Sequence, residues 1–244
     1  MKKIQSVRGM KDILPSDCKT YRSIENILIS AATQFGYKEI RTPLLEDSEL
    51  FIKSIGDGTD IVDKEMYTFI DSKGNSYSMR PEGTASCARA IIESGNSNSI
   101  NKLWYCGPFF RHERPQKGRY RQFHQFGAEF TGVESYEADI EVILLTKYMW
   151  EKLKVNPKLT VNTIGDSEDR KKYIKSLVQY LEKYDKDFED DDRKKIKKNP
   201  LRILDSKKER IRNILIDAPK ISNYLSKDSA LHFEKFTNGL VKNN

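Results

Sequence analysis

Apolar residues Tyr21, Ile24, Leu28, Ala31 and Phe35 recur at three- and four-residue spacing, which predicts a helix packing one face on a core. Ser16 or Asp17 can cap its start, and Gly36 stands just past its end as a stop. Residues 37–43 then read as a short strand and 44–55 as a short helix or helical turns, followed by a glycine loop at Gly56, Asp57 and Gly58. Segments 66–70 and 77–80 flank Asp71-Ser72-Lys73-Gly74-Asn75, a hairpin by its turn chemistry. A helix is predicted from Thr84 to about Glu93, strands at 103–111 and 121–131, a helix at 138–153 and a last sheet strand at 158–164. Hairpins interleaved with helices, without regular strand-helix alternation, predict an α+β fold: a mainly antiparallel sheet with flanking helices.

The pattern changes after Gly165. Asp166 or Ser167 can cap a helix whose apolar positions are Tyr173, Ile174, Leu177, Leu181 and Tyr184. Residues 185–198 pass from acidic to basic with almost nothing apolar and read as a solvated loop or helix surface. Further helices are expected near 208–216 and 229–241. The domain reading is therefore 1–165 for the sheet domain and 166–244 for a small helical module.

Charge narrows the class of partner. A net charge of +7 with 32% charged residues points to nucleic acid or nucleotide more than to a membrane, although a lysine-rich surface serving solubility gives the same composition. No apolar run is long enough to span a bilayer, and the chain turns polar too early for a signal peptide, so a cytoplasmic location is expected. Cys18, Cys87 and Cys106 lie far apart, and His112, His124 and His232 lack metal-ligand spacing, so neither a disulfide framework nor a protein metal site is expected.

The densest chemistry lies between Phe109 and Gly132. Strand alternation places Phe109, Arg111 and Glu113 on one face of the first strand, and Phe123, Gln125, Gly127 and Glu129 on one face of the second. The missing side chain at Gly127 is expected to leave room for a ligand to lie against the sheet. Between the strands Arg114, Lys117, Arg119 and Arg121 form a loop able to pair polyphosphate oxygens. The competing reading is a solvated edge hairpin. His112 and His124 sit one position off the active face and are expected to point to the other side of the sheet.

Four segments resemble the N-terminal part of bacterial histidyl-tRNA synthetases, class II aminoacyl-tRNA synthetases. Ser6-Val7-Arg8-Gly9-Met10-Lys11-Asp12 is similar to the family's opening signature, and Phe35-Gly36-Tyr37 through Thr42-Pro43-Leu44-Leu45-Glu46 to its motif 1, the dimer element. Arg80-Pro81-Glu82-Gly83-Thr84 resembles the amino-acid-binding loop, and Phe110-Arg111-His112-Glu113-Arg114-Pro115 through Gln125-Phe126-Gly127-Ala128-Glu129 resembles motif 2. The resemblance implies a class II synthetase-like core, ATP as substrate, Mg²⁺, histidine and tRNA(His) as partners, and a homodimer formed through motif 1. It implies that Arg111 holds the α-phosphate and the substrate carboxylate and is the catalytic group, that Arg119 holds the outer phosphates, that Glu113 meets the adenine amino group, and that Phe123 stacks on the purine. Glu82, Gly83, Thr84, Gln125 and Glu129 would hold histidine. Taken singly, Glu82 and Asp12 read equally as helix caps or surface ion pairs, Phe123 as a core aromatic and Arg119 as a solvated loop residue.

The sequence departs from the family after the helical module, which resembles the start of the insertion between motifs 2 and 3. The family's second histidine-binding signature, motif 3 and anticodon-binding domain have no counterpart in these residues. A truncated, incomplete synthetase fold is thus expected, one that folds marginally or aggregates by itself. A histidine-sensing paralogue, like the regulatory subunit of ATP phosphoribosyltransferase, or an inactive fragment, is the alternative.

Overall fold

The computed structural model describes residues 3–56 and 59–243. Helix α1 spans Pro15–Gln34, with Leu14 as N-cap and Pro15 in the first turn, so neither Ser16 nor Asp17 caps it as expected. Proline is well placed there because its missing N–H would have no helical partner and its φ is preset. Gly36 (φ 81°) then turns the chain away in a left-handed conformation that other residues rarely adopt.

Strand β1 (Lys38–Glu39), strand β2 (Leu45–Asp47) and helix α2 (Ser48–Ile55) follow. The expected 37–43 strand shrinks to two residues, and 44–55 opens as a strand rather than a helix. Leu45, Glu46 and Asp47 pair with Met79, Ser78 and Tyr77, and that ladder outweighs local propensity in so short a segment. The Asp57–Gly58 part of the expected glycine loop lies outside the described residues. A π-helical turn at Ile61–Glu65 leads into β3 (Tyr67–Ile70), β4 (Ser76–Met79), α3 (Thr84–Glu93), β5 (Asn101–Phe110), β6 (Gln122–Thr131) and α4 (Tyr136–Lys152).

Two three-stranded sheets result, β1-β5-β6 and β2-β4-β3. All pairings are antiparallel except β1 with β5. Residues 155–166 carry no regular structure, so the strand expected at 158–164 is not formed. A strand needs a neighbour to take its N–H and C=O groups, and among the described residues no ladder is made with this segment.

The β5-β6 hairpin has two faces with different company. Trp104, Cys106, Phe126, Ala128 and Phe130 pack on Ala31 and Ala32 of α1 and on Leu145 and Met149 of α4. Only the C-terminal half of the α1 stripe is buried in this way, and Tyr21 and Ile24 are each 41% exposed. The opposite face carries Tyr105, Phe109 and Phe123, with Cys87 of α3 against them.

Residues 1–134 with 141–157 form one compact unit, and 135–140 with 158–244 form another. The second contains α5 (Ser167–Glu182), α6 (Asp190–Lys198), α7 (Glu209–Leu215) and α8 (Lys227–Lys242). Asp166 caps α5 in a reciprocal box with Asp169, each taking a backbone N–H near the other. Tyr173, Leu177 and Leu181 of α5 build this unit's core with Phe188, Ile203 and Ile211. The 185–198 block is less solvated than its composition suggests. Asp192 is 2% exposed and pairs with Lys208 at 2.8 Å, since a buried carboxylate needs a cation or donors. Among the described residues no helix is long and apolar enough to cross a membrane.

Candidate active site

Strand β5 ends at Phe110, so Arg111 and Glu113 stand on a turn rather than on the strand as the alternation predicts. The Arg111 N–H still reaches the Arg121 carbonyl at 2.9 Å, but the Glu113 N–H bonds back to the Arg111 carbonyl at 2.7 Å and bends the chain. The Gly9 carbonyl accepts the Arg121 N–H at 2.7 Å, which ties the opening Arg8-Gly9-Met10 turn to this loop. Between the two segments lies a cleft of about 590 Å³ lined by Lys11, Asp12, Asp17 and Tyr21 on one side and Arg111, Glu113, Arg119, Tyr120 and Phe123 on the other.

Arg111 is held from behind and in front. Its Nε donates to the Pro81 carbonyl at 2.9 Å, and its guanidinium carbon sits 5.4 Å from the centre of the Phe123 ring. Phe123 stacks on Phe109 at 6.2 Å, and Phe109 carries the guanidinium of Arg80 at 4.3 Å. Arg80 is 5% exposed and donates to the Pro108 and Thr42 carbonyls, so it is the fixed end of an alternating cation and aromatic column. Arg119 is the exposed counterpart, its side chain 61% exposed and paired with Glu113 at 3.2 Å. The loop is therefore less freely basic than its sequence reads. Arg121 donates to the Glu113 carbonyl, and Arg114 and Lys117 do not line the cleft. An incoming anion must compete with Glu113 for Arg119.

Further along the same face the chemistry becomes acidic and sheltered. Thr84 Oγ1 donates to Glu129 Oε1 at 2.8 Å, and the Tyr105 hydroxyl reaches the same oxygen at 3.3 Å. Burial pushes the Glu129 carboxyl above its ordinary range, the Thr84 and Tyr105 hydroxyls oppose the rise, and the neighbouring charge of Glu82 adds to it. Cys87 nearby is pushed up to about 12 by burial and then by Glu129, which makes it an inert thiol. Glu82 caps α3: its two oxygens accept the Thr84 N–H at 2.6 Å and the Ala85 N–H at 2.9 Å. Gln125 is half-buried opposite Gly107. Glu129 stands six residues from Phe123 on one strand, roughly 20 Å away by the strand rise, and does not line the cleft around Arg111.

The space expected above Gly127 is not vacant. Tyr105 stands directly across the hairpin from Gly127, and a Cβ there would lie 2.2 Å from its Cζ. A Cβ on Gly83 would meet the same ring atom at 2.2 Å. At both positions the missing side chain makes room for the Tyr105 ring. Gly127→Ala should consequently lower stability by about 1–3 kcal/mol through overpacking, read as a fall in melting temperature. An unchanged Tm would contradict that packing.

The family model described as histidyl-tRNA synthetase matches residues 9–165. The chain belongs to the histidyl-tRNA synthetase family. Its fold is similar to the apo histidyl-tRNA synthetase of S. aureus, at 35% identity and a TM-score of 0.75 over 98% of this chain, which spans 55% of that one. It is also similar to a Bacillus halodurans protein described as an ATP phosphoribosyltransferase regulatory subunit/histidyl-tRNA synthetase, at 20% identity and a TM-score of 0.66, over 99% of this chain and 66% of that one. The α+β class read from the sequence matches this synthetase fold in part.

Within this synthetase-family chain, Arg111, Glu113, Arg119 and Phe123 gather at the cleft, and Gly83, Thr84 and Glu129 gather around Tyr105, with the charge of Glu82 bearing on Glu129; Gln125 stands opposite Gly107 and is in neither group. Sequence reasoning missed Tyr105, although it falls in strand register with Phe109, and it missed Lys11, whose Nζ lies 4.7 Å over the Tyr120 ring. It also missed Glu65, whose carboxyl is raised by burial and then by Glu113. His112 packs on Tyr67 at 5.3 Å, whereas His124, edge-on to Tyr21 at 5.3 Å, lines the cleft beside Arg111 and Phe123, so the expectation that it points away from the site does not hold.

Proposed function

We propose that this chain carries the histidine- and ATP-binding floor of a histidine–tRNA ligase. The reaction joins histidine to ATP as histidyl-adenylate and then transfers the acyl group to the 3′ end of tRNA(His). The observation that carries this reading is one sheet face with a guanidinium–aromatic column at one end and a carboxylate braced by hydroxyls at the other. That order suits a nucleotide at Arg111, Arg119, Glu113 and Phe123, and an amino acid at Glu129, Gln125 and Thr84, with Glu82 and Gly83 shaping the loop between them.

Histidine's carboxylate is already ionised at neutral pH. It attacks the α-phosphorus, one O–P bond forms, and the bond to pyrophosphate breaks, so no protein nucleophile is required. What the chain must supply is alignment of two anions and neutralisation of the charge growing at phosphorus. Arg111 suits that work because its Nε is anchored on the Pro81 carbonyl while the residue lines the cleft. Among the described residues no group of three or more His, Cys, Asp or Glu side chains is arranged to hold a metal. Mg²⁺ would enter on the nucleotide's own phosphates, as this ion commonly does, and would supply neutralisation of their charge. Leu44 and Leu45, exposed apolar residues of the motif 1 segment, support a homodimer formed through it, and a cytoplasmic location fits the translational role.

The test is calorimetric titration of the chain with histidine and with ATP, together with histidine-dependent ATP–pyrophosphate exchange when the family's segment from its second histidine-binding signature through motif 3 is supplied in trans. Selective histidine binding and ATP binding support the ligase floor. Failure to prefer histidine over other amino acids overturns it. Histidine binding without any ATP binding supports instead a histidine-sensing role, the reading to which the Bacillus halodurans likeness gives weight; the gathering of Arg111, Arg119 and Phe123 at one cleft favours the ligase.

A further inference from the structure

We propose that Tyr105 is a positioning residue for Glu129: its ring is wedged between Gly83 and Gly127, and its hydroxyl joins that of Thr84 on Oε1, so that Glu129 offers Oε2 alone, as an acceptor, to an N–H of the bound amino acid. The inference rests on the reading of this pocket as the histidine site.

Three features lead to it. Tyr105 is 4% exposed, and its rotation is blocked on two sides by backbone that has no side chain to move away. Its position is thus fixed by the hairpin register opposite Gly127 and by the loop entering α3. Second, both hydroxyls reach one oxygen of a carboxylate, which leaves the other oxygen as the single directed acceptor. Third, burial and then the charge of Glu129 hold the Tyr105 phenol well above its ordinary range, so it stays a donor across working pH.

The groups bearing on this carboxylate are few. Glu82 and Cys87 face it from the loop and from α3, Tyr105 from β5, and Arg80 lies near Tyr105 and Cys87. Glu82 and burial favour the protonated acid, and the two hydroxyls favour the carboxylate. Removing one hydroxyl tips this balance toward the acid, which has a donor where the ligand also has one.

Tyr105→Phe keeps the wedge and deletes the donor. The expected result is histidine binding weaker by roughly three- to tenfold, less than the full worth of a charge-assisted bond, because the bond lost orients Glu129 and is not itself made to the ligand. The titration midpoint of the Glu129 carboxyl should also move upward, followed by carboxyl-carbon NMR and assigned by its absence in Glu129→Gln. A purely structural Tyr105 would not move that midpoint. An unshifted midpoint overturns the proposal, whatever happens to affinity. A shifted midpoint with wild-type histidine affinity also overturns it, because the hydroxyl would then tune Glu129 without serving the ligand. If wild-type protein binds no histidine while the midpoint shifts in the variant, the histidine-site reading has failed and the ligand part of this proposal falls with it.

Discussion

Glu129→Gln should weaken histidine binding roughly 30- to 150-fold, equivalent to about 2–3 kcal/mol for a charge-assisted bond replaced by a mismatched one. The geometry gives the reason. Thr84 and Tyr105 both donate toward Oε1, so the amide of glutamine places its oxygen there and turns its NH₂ toward the ligand's N–H, donor against donor. The opposite flip satisfies the ligand and leaves two hydroxyls facing an NH₂. Stability should respond differently from affinity. Burial raises the folded-state pKa of Glu129, so its contribution to stability is present below the unfolded carboxyl pKa and is lost as pH rises through the higher folded value. At neutral pH the ionised group is a burden on stability, and the glutamine variant should melt no lower than wild type. Calorimetric titration with histidine beside a thermal melt at pH 7 checks both halves. Affinity within threefold of wild type would remove Glu129 from the site.

Arg111→Ala should depress histidine-dependent ATP–pyrophosphate exchange, measured with the family's motif 3 segment supplied in trans, by about 10²–10³-fold, the range seen when one preorganised group facing developing charge is deleted. ATP binding should weaken alongside it. Arg111→Lys is expected to recover little, because an ammonium that replaces the Nε bond to the Pro81 carbonyl has no second donor plane left for the cleft. The column of Arg80, Phe109 and Phe123 remains in either variant, so the fold should be kept. Exchange and ATP affinity within tenfold of wild type for the alanine variant would show that the phosphate is held elsewhere.

Arg119 illustrates why composition overstates a site. Read as sequence, the loop from Arg114 to Arg121 is an open anion trap; folded, one cation pairs with Glu113 and another is turned onto a carbonyl. The net field over the cleft is a competition among Lys11, Arg111, Arg119, Asp12, Asp17 and Glu113. Selectivity for a nucleotide would come from the Phe123 platform and the fixed Arg111 more than from bulk positive charge.

Strand alternation and turn chemistry were enough to place the hairpin face of Phe123, Gln125, Gly127 and Glu129, because a period of two leaves each side chain only two directions. Apolar spacing placed α1, α4 and α5, and the start signal at Thr84 placed α3, for the same local reason. Other features depended on partners distant in sequence. β2 exists because β4 lies beside it, 158–164 forms no strand because no ladder is offered, and the gap at Gly127 belongs to Tyr105 across the hairpin. Likewise Gly9 meets Arg121 and Glu129 meets Thr84 only after the chain has closed on itself. Periodicity is written in neighbouring residues, whereas hydrogen-bond partners and filled volumes are fixed by contacts that a linear reading does not contain.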